Sequence, residues 1–203
     1  MPTLQVFSAD ELPHVAWPSG AGSSCELVLW PDPGSRGAAE FSLRVSIEST
    51  DRTGPMPSLP GYEHLVGALG DVRLQLDHGG AARDTYLRRG ETGSFQGDWA
   101  TGVSALDGPA SFLSICTPGG RARVTLQILR LGQRELREPQ TSRLSLLYVS
   151  QGEISARITN EEDPIELYAG YGVFIADGRT GDEWALAGAT PDSEFVWAQI
   201  DFS

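Results

Sequence analysis

The chain has 203 residues, of which 40% are hydrophobic and 21% charged, a composition typical of a folded globular protein. Its 27 acidic residues outnumber 15 basic ones, and the formal net charge of −12 would repel a nucleic-acid backbone or an anionic membrane. Each of those 15 basic residues is arginine, which excludes a catalytic lysine, a Schiff base and a P-loop. The composition therefore predicts no nucleic-acid partner and no membrane partner.

The cysteine content and the N-terminal segment indicate a compartment. Two cysteines, Cys25 and Cys116, are too few for a disulfide framework or, on their own, for a zinc site. Met1–Trp17 has neither the basic start nor the apolar stretch of a signal peptide. No segment approaches the ~20 apolar residues that span a bilayer. We therefore predict a cytoplasmic protein with two reduced thiols.

Short apolar runs of period two, separated by Gly, Pro and Asp, predict β-strands along the whole chain. A single helical turn is predicted near Ser8–Leu12. More than ten short strands favour a sandwich or barrel. The predicted strands are Cys25–Trp30, Glu40–Ile47, Glu63–Leu69, Val72–Leu76, Gly102–Leu106, Ser111–Cys116, Arg123–Leu131, Arg143–Val149, Ile154–Thr159, Val173–Ala176, Glu183–Leu186 and Glu194–Phe202.

Two segments of the chain, residues 63–98 and 144–177, follow the same order of features. Each has an apolar strand, a Gly-acid pair, an alternating strand, a loop, and a Gly-rich turn before a strand that contains Phe. This is the order of a cupin jelly roll, so its duplication predicts an all-β bicupin. We predict an N-terminal module with a ligand pocket at residues 1–133, a polar linker at 134–142 and a structural module at 143–203. The terminal strands of the two modules could exchange.

The histidines do not have the spacing of a cupin metal site. Such a site uses a His-x-His pair, whose imidazoles project to the same face of a strand. The chain has His14, His64 and His78, none in such a pair. We therefore predict a metal-independent protein without a cofactor.

Each histidine has a structural interpretation as well. His78 lies in an Asp-His-Gly-Gly sequence typical of an exposed turn, and His14 is expected at the surface. His64 begins an apolar strand, where it either makes a structural hydrogen bond or faces a ligand as a donor or proton shuttle.

One predicted strand, around residues 41–48, has an apolar face and a polar face. The apolar side chains are Leu43, Val45 and Ile47, and the polar ones are Ser42, Arg44, Ser46 and Glu48. On an outer strand the polar face would meet solvent. Inside a barrel it would direct Arg44 and Ser46 at a ligand, and a guanidinium suits a carboxylate or phosphate.

Five weak motifs occur in the order of the HutD/Ves family, which the chain therefore resembles. They are Trp17–Glu26, with Gly20 and Gly22, the strand Leu43–Ile47, Gly54–Gly61, Phe95–Asp98 and Asp107–Pro109. The resemblance covers residues 12–131 well. The rest of the chain resembles the family mainly in its cupin-like order of strands and turns. It implies a bicupin that binds a small molecule. The departures, such as Ser19 for an Asn and His64 for an Arg, change the polarity of the pocket and imply a different ligand.

The sequence leaves two functions open. In the first, the N-terminal barrel binds a small anionic or carbonyl-bearing metabolite. Arg44 orients the ligand there, Ser46 and Ser19 add hydrogen bonds, and Trp17 and Phe95 form apolar walls. In the second, the protein is a cofactor-free isomerase or cyclase acting on a larger apolar substrate in the same barrel. His64 or Glu63 is then the acid–base group, and Arg44 stabilises negative charge. A homodimer is conceivable through an exposed sheet edge.

Overall fold

The computed structural model describes residues 3–31, 41–158, 163–178 and 184–202. It divides the chain into two compact units. The N-terminal unit is Leu12–Ala122, and the C-terminal unit is Met1–Glu11 together with Arg123–Ser203. Each unit consists of two β-sheets, and the helical structure in the described ranges is one 3-10 turn, Ala9–Glu11. The first strand of the chain is β1 (Thr3–Ser8).

The N-terminal unit has a six-stranded and a four-stranded sheet. Its strands are β2 (His14–Ala16), β3 (Gly22–Trp30), β4 (Leu43–Thr50), β5 (Gly54–Pro55), β6 (Tyr62–Leu69), β7 (Leu74–Asp77), β8 (Thr85–Leu87), β9 (Thr92–Gln96), β10 (Gly102–Ala105) and β11 (Ala110–Pro118). The large sheet has the order β2-β3-β4-β11-β6-β9, and the small one β5-β10-β7-β8. One apolar cluster joins them, with Val66 and Phe112 from the large sheet against Leu76 and Val103 from the small one.

The C-terminal unit repeats this arrangement around its own core. Its further strands are β12 (Ala122–Leu131), β13 (Leu136–Arg137), β14 (Leu144–Gln151), β15 (Glu153–Ile158), β16 (Ile165–Tyr168), β17 (Tyr171–Ala176), β18 (Trp184–Gly188) and β19 (Ser193–Phe202). One sheet has the order β1-β17-β14-β19-β12, and the other β13-β18-β15-β16. Trp184 and Trp197, from different sheets, pack edge to face with ring centroids 5.6 Å apart inside an apolar cluster.

The all-β prediction is confirmed strand by strand. Each of the twelve predicted strands overlaps an observed one, and the predicted helical turn is the 3-10 turn at Ala9–Glu11. Glu40, Thr159 and Glu183, which the sequence assigns to strands, lie outside the described residues. Each Gly-acid pair joins strands of different sheets, β6 to β7 and β14 to β15, so the tight hairpins that these pairs suggest do not form. The φ values of 76° at Gly70 and 74° at Gly152 lie in a region that favours glycine.

The units divide at other residues than the sequence predicts. Residues 3–11 and 123–133 belong to the C-terminal unit, because β1 pairs with β17 and β12 lies beside β19. The predicted linker, 134–142, contains β13, which pairs with β18. Polar composition suggested a linker, but strand pairing uses backbone groups that every non-proline residue carries. An exchange of terminal strands between the modules stays a prediction.

The contact of β1 with its sheet gives a first prediction. Phe7 lies directly opposite Gly172, and a Cβ atom at position 172 would overlap the Phe7 ring and lie 2.7 Å from the Leu147 carbonyl oxygen. We expect Gly172→Ala to lower the free energy of unfolding by about 1–3 kcal/mol, the usual cost of overpacking. Urea denaturation measures it, with Gly102→Ala as control because a Cβ there meets nothing closer than 3.9 Å. Equal stability of the two variants would contradict the prediction.

Within the described ranges, the structure has no helix of the length and hydrophobicity that a membrane span requires. The cytoplasmic location stays a prediction.

Candidate functional site

The polar face of β4 lies inside the N-terminal unit. Ser46 and Glu48 are 0% and 2% exposed. Glu48 stands directly opposite Phe112 of β11, a member of the apolar core, and residues opposite each other in antiparallel strands share a face. The alternation therefore marks an interior strand rather than a solvated one, and the guanidinium of Arg44 points inward with a side chain that is 17% exposed.

Glu48 organises the buried side chains around it. One carboxylate oxygen, Oε2, accepts hydrogen bonds from Trp17 Nε1 at 2.9 Å and from the Ser24 hydroxyl. The other, Oε1, accepts one from Ser46 Oγ at 2.6 Å and lies 3.6 Å from Arg44 Nη1. We call Trp17, Ser24, Arg44, Ser46 and Glu48 the polar cluster. Because a buried carboxylate needs donors and a counter-charge, this set explains how Glu48 is accommodated.

Arg44 stands between two carboxylates. Its Nε donates to Glu26 Oε2 at 3.1 Å, and its Nη1 faces Glu48. Burial alone would lower the pKa of Arg44, but the charges of Glu48 and Glu26 outweigh burial and raise it. Among the described residues, the two Nη atoms make no hydrogen bond to a protein oxygen, although the Cys116 thiol is a further side-chain partner of the guanidinium. The guanidinium is therefore firmly charged and retains donors for a ligand.

His64 lies on β6, two strands away from Arg44 in the same sheet. Its Nδ1 is 3.2 Å from Ser114 Oγ and 3.1 Å from Cys116 Sγ, and its ring stacks on Phe95 with centroids 4.6 Å apart. Burial, and secondarily the charge of Arg44, lowers the pKa of His64 to about 4. Burial likewise raises the pKa of the Cys116 thiol to about 11. At neutral pH this is an uncharged imidazole beside an uncharged thiol.

The structure corrects the interpretation of His78. The sequence predicts a solvated turn, but this side chain is 1% exposed. Its two ring nitrogens lie 3.2 Å from Thr101 Oγ1 and 3.1 Å from Thr85 Oγ1, and the ring packs edge-on against Trp99. Burial lowers its pKa despite the nearby carboxylates. His14 is exposed, as predicted.

The predicted site residues divide into two groups. Trp17, Arg44, Ser46, His64 and Phe95 lie on or against the inner face of one sheet. Two other predicted residues have different neighbours. Ser19 is exposed and donates to the Pro55 carbonyl at 3.0 Å, whereas Glu63 is half-buried and accepts from Gln96 Nε2 at 2.8 Å.

Sequence reasoning missed four residues of this region: Ser24, Glu48, Ser114 and Cys116. A signal existed for Glu48, which the alternation put on the same face as Arg44. The other three lie on β3 and β11, and only the register of these strands brings them close to the site.

An open pocket of about 360 Å³ lies at one end of β3, β4 and β11. Its lining mixes polar and apolar groups, with Ser23, Ser49, Asp51 and Ser111 among the polar ones, and includes none of the polar cluster. Within the part of the chain that is described, no group of three or more His, Cys, Asp or Glu side chains is arranged to hold a metal ion.

Comparison with solved structures shows the fold. A conserved protein of unknown function from Pseudomonas aeruginosa PAO1 matches with a TM-score of 0.82 and 24% identity, over 98% of this chain and 99% of that one. HutD from Pseudomonas fluorescens SBW25, in a formate condition, matches with a TM-score of 0.75 and 16% identity, over 98% and 100%. Oxalate decarboxylase from Lactobacillus farciminis, in complex with formate, matches with a TM-score of 0.67 and 9% identity, over 95% and 85%. The predicted duplicated cupin fold is confirmed.

Sequence comparison identifies the family. Protein Ves of Cronobacter sakazakii is 26% identical over 126 residues, which are 62% of this chain and 66% of that protein, so about a third of that relative is unmatched. The family model described as HutD matches residues 9–191. The resemblance drawn from the five motifs is therefore correct, and the chain belongs to the HutD family.

Proposed function

We propose that the N-terminal unit binds a small anionic or carbonyl-bearing metabolite against Arg44, without a metal ion. One observation carries the proposal: a charged guanidinium lies on the inner face of the sheet, and its Nη atoms donate to no protein oxygen in the described ranges. A guanidinium presents paired N–H donors that match the lone pairs of a carbonyl or carboxylate oxygen.

The contacts around Arg44 support the proposal that Arg44, and not Ser46 or Trp17, binds the ligand. Ser46 Oγ and Trp17 Nε1 already donate to Glu48, so they position the carboxylate that holds Arg44. Phe95 supplies a buried apolar surface next to His64. Such a combination of apolar walls and few polar groups is typical of small-molecule sites.

The pKa values of His64 and Cys116 favour ligand binding over the enzymatic alternative. A general base works best with a pKa near the operating pH, whereas the pKa of His64 is lowered to about 4 by burial. Burial holds the Cys116 thiol in its protonated, weakly nucleophilic form, with a pKa of about 11. Neither group is therefore poised for proton transfer or attack at neutral pH. An isomerase or cyclase activity stays a prediction with less support.

Arg44→Gln tests the proposal. We expect wild-type protein to be stabilised in a thermal-shift screen by members of a panel of small acids, amides and aldehydes. Loss of a hydrogen bond from a charged group costs about 1.5–3 kcal/mol, so the variant should bind the same hits at least ~10-fold more weakly by calorimetry. Arg73→Gln is the matched control, because Arg73 forms an exposed ion pair with Asp107 in the same unit. Undiminished binding by Arg44→Gln would overturn the proposal.

The same samples test the remaining predictions. Binding that survives a chelator, with no stoichiometric metal by elemental analysis, is expected for a metal-independent site. Native mass spectrometry of the free and bound protein reports whether a homodimer forms.

A further inference from the structure

The two carboxylates that contact Arg44 are held very differently. Glu48 is 2% exposed and accepts hydrogen bonds from Trp17, Ser24 and Ser46. The Glu26 side chain is 46% exposed, and its polar partner in the described ranges is Arg44 alone. Glu48 is therefore a fixed part of the interior, whereas Glu26 can leave Arg44 for solvent, since exposed ion pairs are weak.

Glu26 occupies the edge of the guanidinium that a ligand carboxylate would use. An arginine offers two edges with parallel donors, Nε with one Nη, and the two Nη atoms together. Glu48 Oε1 lies 3.6 Å from Nη1, on the second edge, and Glu26 Oε2 accepts from Nε at 3.1 Å, on the first. A carboxylate that binds in the bidentate way must therefore displace the Glu26 carboxylate.

The charges of Arg44, Glu26 and Glu48 also disfavour an anionic ligand. Arg44 contributes one positive charge, and Glu26 and Glu48 together contribute two negative ones, so the three groups are negative overall. A second anion that approaches them is repelled by Glu26. A neutral carbonyl oxygen can instead accept a hydrogen bond from a free Nη–H while Glu26 stays in place.

We propose that Glu26 is a specificity-determining residue, an internal competitor that makes the Arg44 site select neutral carbonyl-bearing ligands over carboxylates. This inference rests on the proposed function and narrows its ligand class. Glu26 acts by occupying the Nε edge of Arg44 and by repelling a second negative charge.

Acetamide and acetate test the inference, because they are matched in size and differ in charge. The readout is ¹⁵N–¹H NMR of the Arg44 Nε and Trp17 Nε1 groups, with the Arg44 signal assigned from Arg44→Lys. Titrations are run on wild type, Glu26→Gln, Glu26→Ala and Asp71→Asn. Asp71 is the matched control, because it forms an exposed ion pair with Arg89 in the same unit.

Wild type should bind acetamide more tightly than acetate. Glu26→Gln should tighten acetate binding at least ~10-fold and change acetamide binding less than ~3-fold, and Glu26→Ala, which also vacates the Nε edge, should tighten acetate at least as much. Asp71→Asn should behave as wild type. Acetate binding unchanged by both Glu26 variants, with acetamide still shifting Arg44, would overturn the inference and leave the proposed function standing. Shifts from neither probe in any variant would overturn both.

Discussion

Replacing Glu48 with Ala is expected to lower the free energy of unfolding by about 3–5 kcal/mol, the usual cost of removing one partner of a buried ion pair. The loss is large because Glu48 satisfies several buried groups at once. Without its carboxylate, Trp17 Nε1 and Ser46 Oγ lose acceptors at 2.9 and 2.6 Å, and the inward guanidinium of Arg44 loses its buried counter-charge.

Urea denaturation at neutral pH measures the effect, with Asp71→Ala as the control for loss of an exposed carboxylate. That control should change stability by less than ~1 kcal/mol. Adding Arg44→Met to Glu48→Ala should restore part of the loss, since no buried charge is then left unpaired. A Glu48→Ala protein as stable as the control would mean that the polar cluster contributes little to folding.

Acidification should destabilise the protein through His64. Burial lowers its pKa from 6.5 to about 4, so between these values the unfolded chain binds a proton that the folded protein refuses. The contribution of uncharged His64 to the free energy of unfolding is therefore fully present above pH 6.5 and is lost as the pH falls toward 4. At 1.36 kcal/mol per pKa unit, His64 accounts for about 3 kcal/mol over this range.

The measurement is the free energy of unfolding at several values between pH 7.5 and pH 4, in wild type and in His64→Gln. Carboxylates also titrate in this range, so the difference between the two pH profiles isolates His64. We expect a shallower profile in His64→Gln, and an unchanged one in His14→Gln because His14 is exposed. Parallel profiles for wild type and His64→Gln would show that His64 does not carry this dependence.

The fold was largely predictable because its strands are short, apolar and bounded by turn residues. β4, for example, alternates clearly and lies where the pattern predicts. β1 was missed, since four of its six residues are exposed and its pairing partner β17 lies at the other end of the sequence. The unit boundary was misplaced for the same reason: long-range pairing, which local composition does not encode, decides which unit a strand joins.

The site was predictable only in part. Periodicity put Arg44, Ser46 and Glu48 on one face, but it could not tell an inner face from an outer one. The packing of a second sheet decides that question. His78 was misjudged because a turn sequence is usually solvated, whereas here Thr85, Thr101 and Trp99 cover the ring. Cys116 became relevant only through register, which places it directly opposite both Arg44 and His64.

The place of β1 in the C-terminal sheet has a consequence for synthesis on the ribosome. Ser8 pairs with Tyr171, so β1 is translated before its partner strand, which lies 163 residues further along the chain. At ~5–20 residues per second, that interval is roughly ten to thirty seconds. The nascent strand carries Leu4 and Val6, which stay accessible even in the folded protein. A growing chain therefore exposes the unpaired, hydrophobic β1 while the whole of Leu12–Ala122 is being translated. Chaperones can bind β1 during this period.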